Sequence, residues 1–509
     1  MPFLEICEEI VKDFGNNPES LAKTSSLLIQ YGFISKAREH LKNAIKISPN
    51  DKKYLLNLAH TELQLGNYDQ FKKIANSLLK LYPDCLHILS NLIHLSEYSN
   101  ELSDEKRLSL ANQWGISAIK KAGGPKSRPP LKKGENLPLR IAYMSADFCQ
   151  HTVGILIKEV LAKHDPVKFI VYAYSSGLVR DWITDEIKKN CQFLDVTGLS
   201  DVELANRITT DQIDILIDLS GHTGGTRLSV CAYRPAPVMV SMLGYYATTG
   251  LSYFDASILD TWHVTNATHN QFVEPIVLLE PIRWCFYPAF PAPLIEAPPV
   301  IENGFITFGS FNNTLKYNPT VFELWSKILL NVPQSRLILK WRTFNDPEFR
   351  KKIFNSFADL GIDSNRIQLR GPSFHMKMLE EYKDIDIALD PFPFSGGATS
   401  CEALYMGVPV VTLPQERVAS RQTYAFLSSI GLSELIANDS EGYINIAIQL
   451  AMNQNRLIEY RNTLRLKMLH SPLMQIKDYT SSLENCLLEI YKNTNMTEKS
   501  YLKLHFLNL

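Results

Sequence analysis

Over roughly the first 120 residues, apolar positions recur at the three-to-four spacing of helix faces, and the punctuation between them repeats. Gly32 and Gly66 stand 34 residues apart, as do Pro49 and Pro83. Ala37, Leu41 and Ala44 precede the first proline, and Phe71, Ala75 and Leu78 precede the second. Small residues let paired helices approach, a glycine fits the turn between them, and a proline closes the second helix. The pattern predicts two helical hairpins of one type, with a third, degenerate unit over residues 86–120. After residue 137 the texture changes. Short apolar runs at 139–144, 169–174, 213–219 and 238–243 alternate with helical stretches such as 153–164 and 202–209. A second series follows at 305–308, 337–340, 385–389 and 408–413, with helices predicted at 319–331 and 398–406. Continuous apolar strands separated by helices mean parallel sheets covered on both faces. Two series mean two α/β domains.

The repeat period and layout are those of tetratricopeptide repeats. Such repeats need neighbours to bury their faces, so this array is expected to pack on the α/β domains behind it. The domains expected are helical repeats over 1–122, a linker over 123–137 rich in Gly, Pro and positive charge, a first α/β lobe over 138–299 and a second over 300–509. A proline-rich stretch at 288–299 divides the lobes.

Composition narrows the function. Lys+Arg (52) and Asp+Glu (53) nearly cancel in the 509 residues, which gives no support for chain-wide binding to nucleic acid or a membrane surface. The eight cysteines are scattered without a C-x-x-C pair, so free thiols in a reducing compartment are expected, with no metal site. The opening MPFLEICEEIVKDF reads as an amphipathic helix rather than a signal peptide. No run of about 18 apolar residues predicts a membrane span. A cytoplasmic protein is expected.

In doubly wound sheets, ligands bind beyond the carboxyl ends of the strands, so polar residues there carry the candidate chemistry. The first run leads to His151, an imidazole able to move a proton near neutral pH or simply to start a helix. The third leads to Ser220-Gly-His222-Thr-Gly-Gly, whose glycines leave backbone N–H groups open to an anion or sugar, or serve a tight turn. The run at 305–308 leads to Lys316, a cation able to balance charge on a departing diphosphate. The run at 385–389 leads to Gly396-Gly397-Ala398-Thr399-Ser400, the opening of a helix whose N–H groups and dipole suit a phosphate. Glu402 in its first turn can accept both hydroxyls of a ribose. No G-x-x-x-x-G-K-[ST] supports a P-loop.

Together these segments resemble the protein O-GlcNAc transferase/SPINDLY family. The matching pieces are SADFCQH (145–151), DILIDLSGHTGG (214–225), RPAPV (234–238), LGYYATTGL (243–251), FGSFNNTLK (308–316), DIALDPFPFSGGATSCEALYMGVPVVTL (386–413) and ASR (419–421). FGSFNN and CEALYMGVPVV look closer to the SPINDLY branch. The resemblance implies a GT-B fold, with two Rossmann-like lobes facing a cleft behind the repeats. It implies inverting, metal-independent transfer of a sugar to Ser/Thr hydroxyls of proteins, with N-acetylglucosamine from UDP-GlcNAc as the leading donor. An acceptor protein or peptide would be presented by the repeats and the cleft. Position by position, His151 matches the active-site histidine and Lys316 the lysine on the diphosphate. Asn313 falls in the same donor-binding loop, Gly396 to Ser400 match the diphosphate-binding helix start, and Glu402 matches the ribose contact. His222 falls in the loop facing donor sugar and acceptor, with catalytic rank, and Gly244, Tyr245 and Thr248 in the sugar and acceptor pocket.

Three departures stand out. Met378 occupies the place where the family pattern carries a histidine near the base, with His375 one turn earlier. The usual GYPGT reads Gly244-Tyr245-Tyr246-Ala247-Thr248, and the Thr-rich run before CE reads GGATS. These keep other readings open: a protein O-fucosyltransferase using GDP-fucose, a catalytically decayed repeat protein that only binds partners, or a GT-B sugar epimerase.

Overall fold

The computed structural model describes residues 4–9, 17–131 and 138–494. Residues 4–9 are helical; the rest of the expected opening helix, residues 132–137 of the linker and residues 495–509 lie outside the described residues.

The arm is three antiparallel helix pairs: Pro18–Tyr31 with Ile34–Ile47, Lys52–Gln64 with Tyr68–Leu81, and Leu86–Ser96 with Asp104–Lys121. The side chains of Asn17, Asp51 and Ser103 accept the first free N–H groups of three of these helices, so each start is set by its own sequence. Gly32 turns the first pair with φ of +91°, and any Cβ there would also strike the backbone carbonyl of Arg342 in the second lobe. Gly115 lies equally tight on the carbonyl of Gly250 in the first lobe. The arm therefore packs on both lobes, as its repeats require.

The first sheet has seven parallel strands in the order β3-β2-β1-β4-β5-β6-β7: β1 Leu139–Ser145, β2 Phe169–Ser175, β3 Gln192–Asp195, β4 Ile215–Asp218, β5 Val238–Ser241, β6 Ala256–Leu259 and β7 Ile276–Leu278. The second has five, in the order β10-β9-β8-β11-β12: β8 Thr307–Ser310, β9 Arg336–Lys340, β10 Ile367–Arg370, β11 Ile387–Leu389 and β12 Val410–Val411. Strands β3, β6, β7 and β10 add to the eight apolar runs legible in the sequence. β3 and β10 carry exposed polar residues that break the apolar run, whereas β6 and β7 are as short as the legible β4 and β11.

The winding direction reverses between β1 and β4 in one sheet and between β8 and β11 in the other. These crevices receive the polar residues singled out above. The chain does not stay in the second lobe to its end. Helix Ile476–Asn493 returns to the first, where Glu484 Oε1 lies 3.1 Å from His164 Nδ1 and Tyr479 donates to the carbonyl of Arg283 at 2.9 Å.

Candidate active site

The second-lobe half is built at the ends of β8 and β11. After Ser310 the chain makes a 3₁₀ turn, Thr314–Lys316, capped by Asn313 Oδ1 accepting from the Leu315 N–H at 3.1 Å. That turn throws Lys316 back into the protein. Its ammonium donates to Asn312 Oδ1 at 3.2 Å and to the Ser395 carbonyl at 2.7 Å, and lies 4.7 Å from the centre of the Phe394 ring. Burial pulls its pKa down to about 8, against the opposing pull of Asp390. Asn313, singled out as a donor contact, serves the turn. Asn312 is the residue inside the site: its Oδ1 also accepts from Thr399 Oγ1 at 3.2 Å, tying the β8 loop to the β11 helix. Both asparagines stand in FGSFNN, and nothing local in the sequence separates them.

Asp390 closes β11. It accepts from the Gly396 N–H at 2.6 Å and from Thr412 Oγ1 at 2.7 Å, which fixes the loop leading to the helix. A Cβ on Gly396 would strike Ser400 Oγ, and one on Gly397 would lie 3.2 Å from the Trp284 ring. Helix Ala398–Tyr405 then starts with no capping side chain. The N–H groups of Ser400 and Cys401 bond the Gly397 carbonyl, leaving those of Ala398 and Thr399 at the positive end of the helix. Ser400 itself turns inward and shares a hydrogen bond with Thr423 at 2.8 Å. Glu402 Oε1 lies 2.9 Å from His375 Nε2, and this partner raises the His375 pKa above its ordinary value. His375, one turn before Met378, is thus the histidine that reaches the site.

The first-lobe half begins after β1. His151 adopts extended backbone and caps helix Thr152–Lys163, its Nδ1 accepting weakly from the Val153 N–H at 3.4 Å. Asp147 Oδ2 lies 3.7 Å from the same nitrogen. With 52% of the side chain exposed, His151 stands at the surface of the first lobe, at the start of helix Thr152–Lys163. The two neighbours favour opposite tautomers: the N–H leaves the ring proton on Nε2, whereas the carboxylate draws it to Nδ1. A chain of contacts crosses the cleft nearby. Trp182 Nε1 donates to Gln150 Oε1 at 3.2 Å, the Trp182 ring lies 5.3 Å from Phe290, and Phe290 lies 5.6 Å from His375.

The other first-lobe candidates are packed away. His222 is buried between the arm and the lobe, with Nε2 donating to the Thr249 carbonyl at 2.9 Å and Nδ1 accepting from Ser90 Oγ at 2.9 Å. Trp114 of the arm meets its ring edge-on at 4.9 Å, and burial pushes its pKa down to about 3. A neutral ring with both nitrogens engaged has none left for a substrate, which corrects the expectation that His222 faces the donor. Thr248 Oγ1 donates to buried Glu274 at 2.6 Å, Gly244 lies against the Leu219 carbonyl, and Tyr245 packs under His222 at 5.5 Å. Tyr245 and Thr248 are thus buried rather than lining an open pocket, whereas Gly244 is half-buried beside Val153, two residues after His151. Tyr246, where the GYPGT pattern departs, bonds His94 of the arm at 3.1 Å and sets its ring 4.5 Å from Phe394 across the lobes.

Two parallel α/β lobes facing a cleft, closed by a C-terminal helix that crosses back to the first, define the GT-B class of glycosyltransferase folds. A family model described as Glycosyl transferase family 41 matches residues 98–282 and 300–483, and one for the tetratricopeptide repeat matches 28–92. The chain belongs to glycosyl transferase family 41. It is 35% identical over 410 residues to the probable UDP-N-acetylglucosamine–peptide N-acetylglucosaminyltransferase SPINDLY of Hordeum vulgare, covering 79% of this chain and 43% of that one. The probable UDP-N-acetylglucosamine–peptide N-acetylglucosaminyltransferase SEC of Arabidopsis thaliana is 28% identical over 398 residues, 75% of this chain and 40% of its own. The chain spans less than half the length of these curated relatives. A solved structure of a lysine-to-methionine mutant of Thermobaculum terrenum O-GlcNAc transferase superposes with a TM-score of 0.90 at 31% identity, covering 96% of this chain and 93% of that one.

Proposed function

We propose that the chain transfers a sugar from a nucleoside diphosphate to Ser/Thr hydroxyls of proteins, by a single inverting displacement across the cleft. The observation that carries this reading is the cluster of Lys316, Asn312, Thr399 and the uncapped start of helix Ala398–Tyr405. A buried ammonium and two open N–H groups converge where a diphosphate would develop charge, so the leaving group is stabilised without a metal. Glu402, one turn further on, is placed for the ribose. His151 stands on the opposite lobe, on the side from which an acceptor hydroxyl attacks a sugar whose leaving group is held by the second. Backside attack of this kind inverts the anomeric centre. Gly396 and Gly397 keep side chains out of the diphosphate cradle.

N-acetylglucosamine from UDP-GlcNAc is the donor proposed first, in keeping with the names of the relatives. GDP-fucose is the second, because the base-proximal position holds Met378 and His375 has moved to Glu402. The acceptor is a protein or peptide held by the arm and the cleft. All eight cysteines are free thiols, which supports a reducing compartment, the cytoplasm.

The test is incubation of the purified chain with UDP-GlcNAc, GDP-fucose and related nucleotide sugars, each with a cell-extract acceptor mixture. Diphosphate release and acceptor mass are the readouts. A mass gain of one N-acetylhexosamine with UDP-GlcNAc supports the first donor, and of one deoxyhexose with GDP-fucose the second. A folded protein that shows no turnover and binds no nucleotide overturns the enzyme reading in favour of a binding module.

A further inference from the structure

Lys316 is held between two residues that belong to the arm's core. Leu315, immediately before it, and Phe394, immediately before the Ser395 whose carbonyl it bonds, are both buried in the hydrophobic cluster formed by Leu55, Leu63, Leu92 and Tyr98 of the repeats. Tyr98 lies just past helix Leu86–Ser96, and its ring stacks on Phe394 with centroids 4.6 Å apart and planes at 17°. Tyr246 of the first lobe meets the same ring nearly perpendicularly at 4.5 Å. The Lys316 ammonium faces that ring at 4.7 Å. Phe394 is therefore fixed by the arm and by the first lobe, while it forms a wall of the second lobe's anion site.

We infer that Tyr98 of the helical arm is a positioning residue for the transfer reaction, holding Phe394 and Ser395 so that Lys316 is aimed at the departing diphosphate. The inference rests on the leaving-group reading of Lys316. It gives the arm a part in chemistry besides any part in presenting an acceptor. Removing the Tyr98 ring frees Phe394 to swing, and the Ser395 carbonyl and the aromatic face that orient the ammonium move with it. Misplacement of about 1 Å at a reacting group costs on the order of 10²-fold in rate. It also opens a dry site to water. Burial is what holds the Lys316 pKa low, so wetting the site moves that pKa upward.

The experiment compares the full chain with Tyr98→Ala, Tyr98→Phe and Leu28→Ala, the last a buried arm residue in a separate cluster that does not touch Phe394. Release of nucleoside diphosphate is followed against pH with whichever donor the wild type turns over, and Tm is measured for each variant. Tyr98→Ala is expected to lose about 10- to 100-fold in kcat with donor KM within about threefold, its alkaline limb displaced to higher pH. Tyr98→Phe keeps the stacked ring and retains kcat. Leu28→Ala lowers Tm but leaves kcat and the limb in place. Wild-type kcat and limb in Tyr98→Ala, or equal loss in Leu28→Ala at matched Tm, overturns the inference while the transferase reading stands. A wild type inactive with every nucleotide sugar overturns that reading, and the inference with it.

Discussion

His375 Nε2 lies 2.9 Å from Glu402 Oε1, so the carboxylate proposed to take the ribose hydroxyls already has an imidazole partner. The pair joins the short helix His375–Glu380 to helix Ala398–Tyr405 and is backed by Phe290 at 5.6 Å from His375. Glu402 accordingly has to share its oxygens when a nucleotide enters.

Competition of this kind has a sign. Glu402 raises the His375 pKa above the ordinary value of about 6.5, so the ion pair is fully formed below that value and is lost as pH rises through the raised one. Donor affinity is expected to improve over that window. Isothermal titration of the nucleoside diphosphate between about pH 6 and 7.5, below the Lys316 pKa of about 8, measures it, and His375→Ala should flatten the dependence. A slope that survives in His375→Ala assigns it to another group.

Lys316→Met is expected to lower kcat by about 10²–10³-fold, the loss typical of one well-aimed charge stabiliser. In the proposed role the reacting form is the ammonium, and burial holds its pKa near 8. The kcat/KM profile should therefore fall as pH rises through about 8. A bound diphosphate stabilises the ammonium, which places the limb in kcat at higher pH. A kcat/KM profile that stays flat to about pH 9.5 removes Lys316 from the leaving-group role.

Chemistry and capping at His151 can be separated with one substitution. Asparagine caps a helix well, so His151→Asn should keep the Tm while kcat falls by about 10²–10⁴-fold if the imidazole moves the acceptor proton. Asp147→Asn should show a smaller fall, because it removes the carboxylate that favours the Nδ1–H tautomer needed for Nε2 to act as a base. Full activity in His151→Asn reduces the residue to a cap.

His222 should behave as a strut. Replacement by alanine strands the Thr249 carbonyl and Ser90, costing about 1–3 kcal/mol, while the folded fraction keeps its kcat. Its pKa is depressed to about 3, so the unfolded chain binds the proton first as pH falls below about 6.5. Stability is then lost from that pH downward, by about 2 kcal/mol at pH 5 from this group alone. Chemical denaturation of wild type and His222→Ala at about pH 7.5 and pH 5 checks this: the variant should lose less than the wild type between the two.

The sequence by itself determined what depends on neighbours along the chain. The 34-residue period of Gly32 with Gly66 and Pro49 with Pro83 specifies paired helices, because turn glycines and closing prolines act within one hairpin. Apolar runs ending in polar residues placed Lys316 and Glu402 at strand ends, since a parallel strand must be apolar and its ligand loop need not be. Tertiary structure alone decided which polar residues face the cleft. His222 and Ser90 are 132 positions apart, and only packing of the arm on the first lobe brings them together and removes the imidazole from solvent. Asn312 and Asn313 look alike in sequence, yet a 3₁₀ turn aims one inward and spends the other on a backbone N–H. The return of Glu484 to His164, 320 positions away, and the stacking of Tyr98 on Phe394 have the same origin. A periodic pattern reports which face is buried, whereas the partner that satisfies a buried polar group, or wedges an aromatic ring, comes from wherever the fold supplies one.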